Sequence, residues 1–490
     1  MNRIRGQGRH SSAAVLAAML LLAGCATAPE YRKPALDLPA AWKVDAPWRQ
    51  GTPSDGAPKG PWWQGFGDPV LDQLEQQALG NSPSLALAGA RLAQARAVVA
   101  AAAAGQYPQV GASGREVRQR ISANRPLSNY ASPNFSTTQY DFVGLLTVSY
   151  EADLSGRVQR VIEGTSASAE QAAADLENVR LLLTADLAIA YFNLRALDIE
   201  LDVLARALAL QRRSLELATA RHDLGATSGL DVAQQQALLD GTLAQVDVLK
   251  RLRAQFEHAL ATLTGTAAPA FSLAPQVRLL TPPAVPLGVP SDVLERRPDV
   301  AAAERAMAAA NAQIGVANAA FYPSISLGAT LGSESRSLPA LFNLPSIIWS
   351  LGASIAQPLF DGGRLRANLE GARAGYEATT ANYRRVVLTA MQEVEDGIIG
   401  LAALERAHAQ AQVAIASARR VLDLATSRYE GGVATYLEVI TAQQGLLNSE
   451  RLSAQLSGQR LLTAVFLVKA LGGDWQGTKV AVNSPGGAGQ

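Results

Sequence analysis

The sequence has one cysteine, few aromatic residues and no excess of either charge. With Cys25 as the sole cysteine among 490 residues, no intramolecular disulfide can form. The 43 Lys and Arg residues balance 42 Asp and Glu residues, so nothing indicates the basic patch that nucleic-acid binding requires. Aromatics make up 6% of the chain, whereas 48% is hydrophobic, much of it alanine. Such a composition favours long, closely packed helices over a large globular core.

Long hydrophobic runs are also scarce. Ala13 to Ala23 is unbroken and apolar, but it is shorter than the ~20 residues that a membrane-spanning helix needs. A basic start with Arg3, Arg5 and Arg9 precedes this run, and small residues follow it. This pattern predicts a secretory signal peptide over residues 1–24. No comparably uninterrupted run follows, so we expect no membrane-spanning helix after the signal.

The cysteine lies directly behind the signal. Leu22-Ala23-Gly24-Cys25 resembles the bacterial lipobox, in which the cysteine becomes the first residue and its sulfur takes a diacylglyceryl group. The following residue is Ala26, not Asp, which is the pattern expected for transfer to the outer membrane. We therefore expect a covalent lipid on Cys25 and no other cofactor or metal. The alternative for Cys25 is a free, buried thiol.

The chain contains an internal duplication. Pro83 and Tyr107-Pro108 recur 215 residues later, as Pro298 and Tyr322-Pro323. Landmarks further along recur at 207 residues: DLSGR as FDGGR, RHDLGATSGLDVAQQQ as RYEGGVATYLEVITAQ, and Gly265 as Gly472. The first copy therefore carries eight extra residues in one segment, between Pro108 and Gly156. The matched proline, glycine and arginine landmarks argue against chance similarity between alanine-rich helices.

Each copy reads as a short helix, a strand pair, a very long helix, a turn and a helix. The predicted segments are a lipidated N-terminal part (25–82), a first repeat (83–265, hairpin 109–150), a Pro-rich equatorial linker (266–296), a second repeat (297–472, hairpin 324–357) and a tail (473–490). A helix from Arg157 to His222 would run ~100 Å. Within it Leu197, Leu201, Leu204, Leu208 and Leu215 indicate a coiled-coil seam. An amphipathic surface helix is the alternative.

The predicted strands alternate apolar and polar residues. In YDFVGLLTVSY one face holds Phe142 and Leu146 between Tyr140 and Tyr150, and Trp349 lies on the apolar face of the last strand. Runs of ~10 alternating residues with aromatics near their ends are typical of outer-membrane barrel strands. Tyr140, Tyr150 and Trp349 are therefore the predicted aromatic belt. A half-buried soluble sheet is the alternative.

Four strands per chain cannot close a barrel. An open sheet edge in lipid leaves backbone groups unpaired, at a cost of several kcal/mol each. Two copies would give eight strands and a barrel filled by its own side chains, whereas three would give twelve strands and room for a pore. We therefore predict a homotrimer that forms a twelve-stranded β-barrel, with the helices continuing it as a tube into the periplasm.

Three segments are specific enough to indicate a family: WWQGFGDPVLDQLEQQALGNSPSL (from Trp62), GVPSDVLERRPDVAAAERAMAAANAQIGVANAAFYPSISL (from Gly288) and QPLFDGGRLRA (from Gln357). They resemble the outer-membrane efflux factors, and CATAPEYRKP is similar to the lipoprotein start of the branch that serves resistance-nodulation-division pumps. The resemblance implies a mainly α chain with a trimeric β-barrel, a long periplasmic α-helical barrel and a small equatorial domain. It also implies a passive duct in the outer membrane of a Gram-negative bacterium, opened by a periplasmic adaptor that is coupled to an inner-membrane pump.

The two helix turns carry the remaining chemistry. Glycine four residues after Arg221 and Arg428 permits a left-handed helix end, and acids follow six residues later. The resemblance implies a periplasmic gate and adaptor-docking tips at these turns. The predicted gate residues are Arg221, Asp231, Arg428, Tyr429, Glu438 and Thr441, and the tips are Gly225, Ala226, Thr227, Gly432, Val433 and Ala434. Thr441 stands where the family often has aspartate, which makes this gate less acidic. The alternative is that Asp231 and Glu438 merely suit the positive helix start.

Three other functions compete with the duct. An enzyme is not indicated, because the chain lacks G-x-S-x-G, a Gly-Lys phosphate loop and H-E-x-x-H, and its histidines are scattered. A structural coiled-coil lipoprotein would need neither the alternating strands nor the matched glycine turns. Export of proteins by an ABC-driven system is the third, but the lipobox and the start Pro29-Tyr31-Pro34 favour the small-molecule branch.

Overall fold

The computed structural model describes residues 60–124, 136–278, 280–283 and 296–473. Cys25, the signal peptide and the tail after Gly473 lie outside the described residues, as does part of the Pro-rich linker. Within the described residues the chain forms seven α-helices and one four-stranded antiparallel sheet.

The elements follow in the predicted order. A 3₁₀ turn (Trp62–Phe66) and α1 (Pro69–Asn81) come first. The first copy is α2 (Pro83–Ala103), β1 (Gln109–Ile121), β2 (Thr137–Ala152), α3 (Arg157–Asp223) and α4 (Gly229–Leu263). The second is α5 (Pro298–Ala319), β3 (Ser324–Ser335), β4 (Ile347–Ala356), α6 (Arg364–Glu430) and α7 (Tyr436–Ala470).

The helix lengths confirm the duplication. Helices α3 and α6 each have 67 residues, and α4 and α7 each have 35. Each pair begins and ends at the predicted spacing of 207. The extra residues of the first copy lie in and around its hairpin, whose strands have 13 and 16 residues against 12 and 10 in the second. Insertion is thus accommodated in the hairpin and not in the helices.

The described residues divide into two compact units. The sheet unit contains residues 91–124, 136–173 and 302–383. The helical unit contains residues 60–90, 174–278, 280–283, 296–301 and 384–473.

The sheet has the order β1-β2-β3-β4, and its two faces differ. The register places Leu146 opposite Leu331, and Leu331 opposite Trp349, so one apolar face crosses the strands. The part of the chain that the structure describes does not cover this face: Trp349 is 75% exposed and Leu351 79%. The other face is polar, with Arg115 and Asp141 paired at 2.9 Å. An uncovered apolar face suits lipid and argues against the half-buried soluble sheet.

The predicted belt residues lie on this apolar face. Tyr140 stacks on Phe142 with ring centroids 5.9 Å apart, and the Arg118 guanidinium lies 5.3 Å from the Tyr140 ring. Tyr140 and Trp349 are exposed and Tyr150 is half-buried. Among the described residues β1 and β4 each have a single neighbouring strand, so the sheet ends in two open edges there.

One helix in the described part of the chain is long and apolar enough to cross a bilayer by composition. It spans residues 83–106, whereas the sequence predicts no such helix. The apolar character comes mostly from alanine, and Arg91 and Arg96 lie within the segment. A single helix of this kind is weak evidence for a membrane span.

The core of the helical unit is built on the Trp-Trp-x-x-Phe-x-Asp-Pro segment. The aromatic side chains of Trp62, Trp63 and Phe66 are buried, and Phe66 packs 4.8 Å from Phe192 between ring centroids. Asp68 caps α1 by accepting the Val70 N–H at 2.9 Å, and it also accepts the Tyr191 hydroxyl at 2.7 Å. One carboxylate therefore both starts α1 and fixes it to α3.

The predicted leucine seam of α3 is partly buried. Leu204 and Leu208 are buried, and Leu204 packs in one cluster with Leu249 of α4 and Leu447 of α7. Leu197, Leu201 and Leu215 are half-buried. The seam therefore holds α3 against the shorter helices of both copies.

A buried acid in α1 gives a testable pH dependence. Glu75 is fully buried, and neither carboxylate oxygen has a hydrogen-bond partner among the described residues. Burial, and secondarily the Asp72 charge, raises the pKa of Glu75 to about 9. At pH values above the ordinary glutamate pKa of about 4.3, Glu75 is ionised in the unfolded chain, so folding requires the uptake of a proton. Stability from this group is complete below that value and is lost as the pH rises towards 9, by up to about 1.4 kcal/mol per pH unit.

The isosteric variant Glu75→Gln should remove this dependence. We expect its melting temperature in detergent to change less than that of the wild type between about pH 5 and pH 8. Asp72→Asn is the control: it removes the smaller contribution to the raised pKa of Glu75 but leaves Glu75 buried, so most of the pH dependence should remain. Parallel melting curves for the wild type and Glu75→Gln would contradict a protonated Glu75.

Candidate functional site

The two helix turns have the same backbone. Gly225 and Gly432 adopt left-handed φ values of 74° and 75°. After α3, the Gly225 N–H donates to His222 O and the Ala226 N–H to Arg221 O, both at 2.8 Å. The second turn repeats this pattern with bonds of 3.0 Å from Gly432 and Val433 to carbonyls of α6. Glycine is required because a side chain would be strained at this φ.

The helices that follow the turns start differently. Ser228 caps α4, and its hydroxyl accepts the Leu230 N–H at 3.1 Å. Asp231 accepts a hydrogen bond from the Thr227 hydroxyl of the same turn. Thr435 precedes α7 without a side-chain cap bond. Asp231 is thus held inside its own turn, close to the positive start of α4.

Two of the predicted gate residues form an ion pair and two others stack. The Arg428 Nε lies 3.8 Å from Glu438 Oε2, across the second turn. The Arg221 guanidinium lies 5.0 Å from the centre of the Tyr429 ring, so α3 contacts α6 here. Thr441 takes no part: its hydroxyl donates to Leu437 O within α7 at 2.8 Å, and its side chain is exposed.

A buried polar network behind the turns was not predicted from the sequence. The Tyr436 hydroxyl donates to Gln235 Oε1 at 3.0 Å, and Gln235 Nε2 donates to Gln211 O at 3.0 Å. Gln443 Nε2 donates to Ser214 Oγ at 3.0 Å. These bonds join α3, α4 and α7. Gln235 and Gln443 lie among other glutamines and polar residues of α4 and α7, so no sequence pattern distinguishes them from exposed glutamines.

Tyr436 is the centre of this network. It is buried in a cluster with Ala218, Val439 and Ile440, and its ring centroid lies 4.9 Å from that of Tyr429. Burial, with smaller contributions from Tyr429 and Asp231, raises the pKa of Tyr436 to about 12. The phenol therefore stays protonated and donates its hydrogen bond throughout the physiological range.

The tips of the turns present apolar side chains to solvent. Leu224 is 85% exposed and Val433 70%. The predicted tip residues Gly225, Ala226 and Gly432 are also exposed, and Thr227 and Ala434 are half-buried. Within the described ranges no group of three or more His, Cys, Asp or Glu residues could hold a metal ion. The turns therefore offer a hydrophobic contact surface and the Arg428–Glu438 ion pair.

A repeated hairpin with an uncovered apolar face, together with repeated 67-residue helices, defines a subunit of an outer-membrane channel. The family model described as outer membrane efflux protein matches residues 74–266 and 289–473, and the chain belongs to that family. The predicted family and outer-membrane location are thereby confirmed.

Relatives and solved structures agree with this assignment. The pyoverdine export outer membrane protein OpmQ of Pseudomonas aeruginosa is 33% identical, over 94% of this chain and 96% of its own length. The toluene efflux pump outer membrane protein TtgC of Pseudomonas putida is 34% identical, over 93% and 94%. The solved outer-membrane channel OprN superposes with a TM-score of 0.83 and 30% identity, covering 92% of this chain and 99% of that one. The chain is accordingly an outer-membrane efflux channel protein.

The buried tyrosine network predicts a specific loss of stability. Tyr436→Phe removes the hydroxyl that pairs with Gln235 and leaves a buried amide oxygen without its donor. We expect a loss of ~1–3 kcal/mol, measured as a lower unfolding midpoint. Tyr429→Phe is the matched control, since it retains the ring that Arg221 contacts. An equal effect of the two substitutions would show that the network does not stabilise the turns.

Proposed function

We propose that three copies of this chain form the exit duct of a tripartite efflux assembly. The observation that carries the proposal is the sheet of one chain, with two open edges and an uncovered apolar face, in a member of an outer-membrane family. Backbone groups at those edges must be paired in lipid. Three copies of four strands close a twelve-stranded barrel wide enough for an aqueous pore.

The partners that fit the chain are a periplasmic adaptor and an inner-membrane resistance-nodulation-division pump. The exposed apolar tips, Leu224 and Val433, supply a surface that an adaptor can cover. TtgC carries the words "efflux pump" in its name, which supports a pump partner for this chain by similarity. A lipid on Cys25 would add an anchor to the membrane.

The turns are the proposed gate. Three copies of Asp231 and Glu438 place six carboxylates at the end of the duct, which favours cations. The Arg428–Glu438 pair is about half exposed, and such pairs contribute only ~0–1 kcal/mol. An adaptor could therefore displace it at small cost.

The duct is proposed to conduct small molecules passively, without catalysis. OpmQ is named for pyoverdine export and TtgC for toluene efflux, and these two cargoes differ widely in polarity. A family that serves both uses a passage that does not itself select one chemistry.

The partner can be captured through an engineered thiol. Ala226→Cys adds an exposed cysteine at the first tip, and Cys25 is the only native one. Cross-linking in cells followed by mass spectrometry is expected to recover the adaptor of a proton-driven pump. An adaptor of an ABC exporter would move the function to protein export. An accessible tip with no periplasmic partner would favour a structural lipoprotein. Wild type with Cys25 alone is the control.

Neutralising the gate acids should alter ion selectivity. The double variant Asp231→Asn with Glu438→Gln removes six charges per trimer, so the preference for cations should fall. The reversal potential measured across a bilayer reports this preference. Glu216→Gln with Asp423→Asn is the matched control, since these exposed acids occupy equivalent positions on α3 and α6. An unchanged reversal potential in the gate variant would contradict the proposed gate.

A further inference from the structure

Two arginines interrupt the apolar face of the sheet at one end of the first hairpin. The register places Arg118 opposite Tyr140 and Arg120 opposite Thr138. Residues that are paired across neighbouring strands project to the same side of a sheet, so both arginines share the face that holds Tyr140 and Phe142. Both are exposed. The face that suits lipid is therefore cationic at this end.

Neither arginine has an anionic partner in the part of the chain that the structure describes. The Arg118 guanidinium lies 5.3 Å from the centre of the Tyr140 ring, and Arg120 Nε donates to Ser136 Oγ at 3.2 Å. By contrast, Arg115 of the same strand lies on the polar face and pairs with an aspartate at 2.9 Å. The cation on the polar face is thus neutralised within the chain, whereas the two cations on the apolar face are not.

The position of the two arginines along the strands is that of a membrane surface. Tyr140 and Tyr150, ten residues apart on β2, are separated by ~34 Å along the strand. With a strand tilt of ~40°, this distance spans the ~25 Å apolar band of an outer-membrane barrel. Arg118 is level with Tyr140, and Arg120 lies ~7 Å further along β1. Both cations are therefore at the edge of the band, where a charge is tolerated.

This edge faces outwards in the proposed duct. Each strand pair is connected to helices at one end and by its hairpin connection at the other. The proposed duct has its long helices in the periplasm, so the hairpin connections lie at the outer surface. This orientation rests on the proposed function. The outer leaflet of a Gram-negative outer membrane contains lipid A, an acylated glucosamine disaccharide that carries phosphate groups.

We propose that Arg118 and Arg120 bind a phosphate group of lipid A at the outer end of the first hairpin. Guanidinium groups bind phosphate through paired, charge-assisted hydrogen bonds. Only the Nε of Arg120 has a partner among the described residues, namely Ser136, so its two terminal nitrogens are available. Tyr140 and Phe142, with ring centroids 5.9 Å apart, supply an adjoining aromatic surface for acyl chains. The site thus matches a ligand with an anionic head and apolar chains.

One acid limits where the phosphate can lie. Glu116 shares the apolar face, opposite Phe142, and it forms no ion pair with Arg118 or Arg120. Its carboxylate repels a phosphate. The phosphate therefore lies on the side of Arg118 that faces Arg120, away from the middle of the membrane.

The second hairpin has no equivalent site. At the same end of the same face, β3 has Ser333 and Ser335, and β4 has Ile347. Ser335 lies opposite Phe142, so these residues are level with the arginine site. The duplication therefore supplies an uncharged internal comparison, and each chain carries one site of this kind among its described residues.

Lipid binding by the purified full-length protein tests the site. The probe is bis-phosphorylated lipid A, titrated into the protein in detergent, with the bound lipid counted by native mass spectrometry. Arg118→Gln and Arg120→Gln are each expected to weaken binding ~10-fold. Arg336→Gln is the matched control, because this exposed arginine follows β3 at the same end of the sheet. It should bind the lipid as the wild type does.

Two further variants test the chemistry of recognition. Arg118→Lys with Arg120→Lys keeps both charges but loses the planar fork, so it should bind more weakly than the wild type and more tightly than the double glutamine variant. Glu116→Gln removes the repelling carboxylate and should bind more tightly than the wild type. A lysine variant no tighter than the glutamine variant, or a weaker Glu116→Gln, would contradict a phosphate site here.

Other ligands identify the source of the phosphate. Lipid A without its phosphates should bind ~10-fold more weakly or worse, and millimolar inorganic phosphate should not displace lipid A. Equal binding of the dephosphorylated lipid would refute phosphate recognition. Displacement by inorganic phosphate would indicate a site for free anions, and tighter binding of phosphatidylglycerol would indicate the inner leaflet. Either of these results would overturn the proposal.

Conductance in bilayers separates this site from the duct. A conducting trimer whose lipid A binding is the same in the wild type and in the arginine variants would refute the site and leave the duct intact. A protein that binds lipid A through Arg118 and Arg120 but does not conduct would refute the duct alone.

Discussion

The whole molecule depends on one constraint, namely that a backbone group in lipid must find its hydrogen-bond partner within protein. Four strands satisfy this along their length but not at the two outer edges. The chain therefore cannot be self-sufficient in the membrane, however stable its helical unit is. The sheet is one third of a closed barrel. This explains the uncovered apolar face of the sheet, the equal lengths of the helices in the two copies and the exposed sides of those helices.

The two copies of the repeat have the same architecture although they share little sequence identity with each other. The two copies share glycine turns, helix lengths and the alternation of their strands, while most other positions differ. The differences are concentrated where the copies have unequal surroundings. Ser214 and Glu200 lie under another helix of the same chain, whereas Val421 and Ala407 lie on a free face. Equivalent positions thus acquired different chemistry because they contact different neighbours.

Much of the fold could be predicted from the sequence because its determinants are local. The alternation of apolar and polar residues predicted the strands, and the proline-free stretches predicted the long helices. Gly225 and Gly432 predicted where those helices end. The network of Tyr436, Gln235 and Gln443 could not be predicted, since its members are far apart in sequence and meet only through packing of three helices. Glu75 is similar: nothing in its neighbourhood along the chain indicates that it is buried with no hydrogen-bond partner among the described residues. The pairing of Arg428 with Glu438, and the absence of Thr441 from that pair, also depended on side-chain geometry across a turn.

The equal lengths of α3 and α6 keep the turns at their ends level with each other. Arg221 on one helix must reach Tyr429 on the other, so a residue inserted into only one of them would advance its turn by about 1.5 Å and rotate it by about 100°. Insertions and deletions are therefore tolerated in the hairpins. In the long helices an insertion or deletion would have to occur in both α3 and α6, at equivalent positions. The length of the two long helices is consequently less free to change than the length of the hairpins, since a change in one helix must be matched in the other.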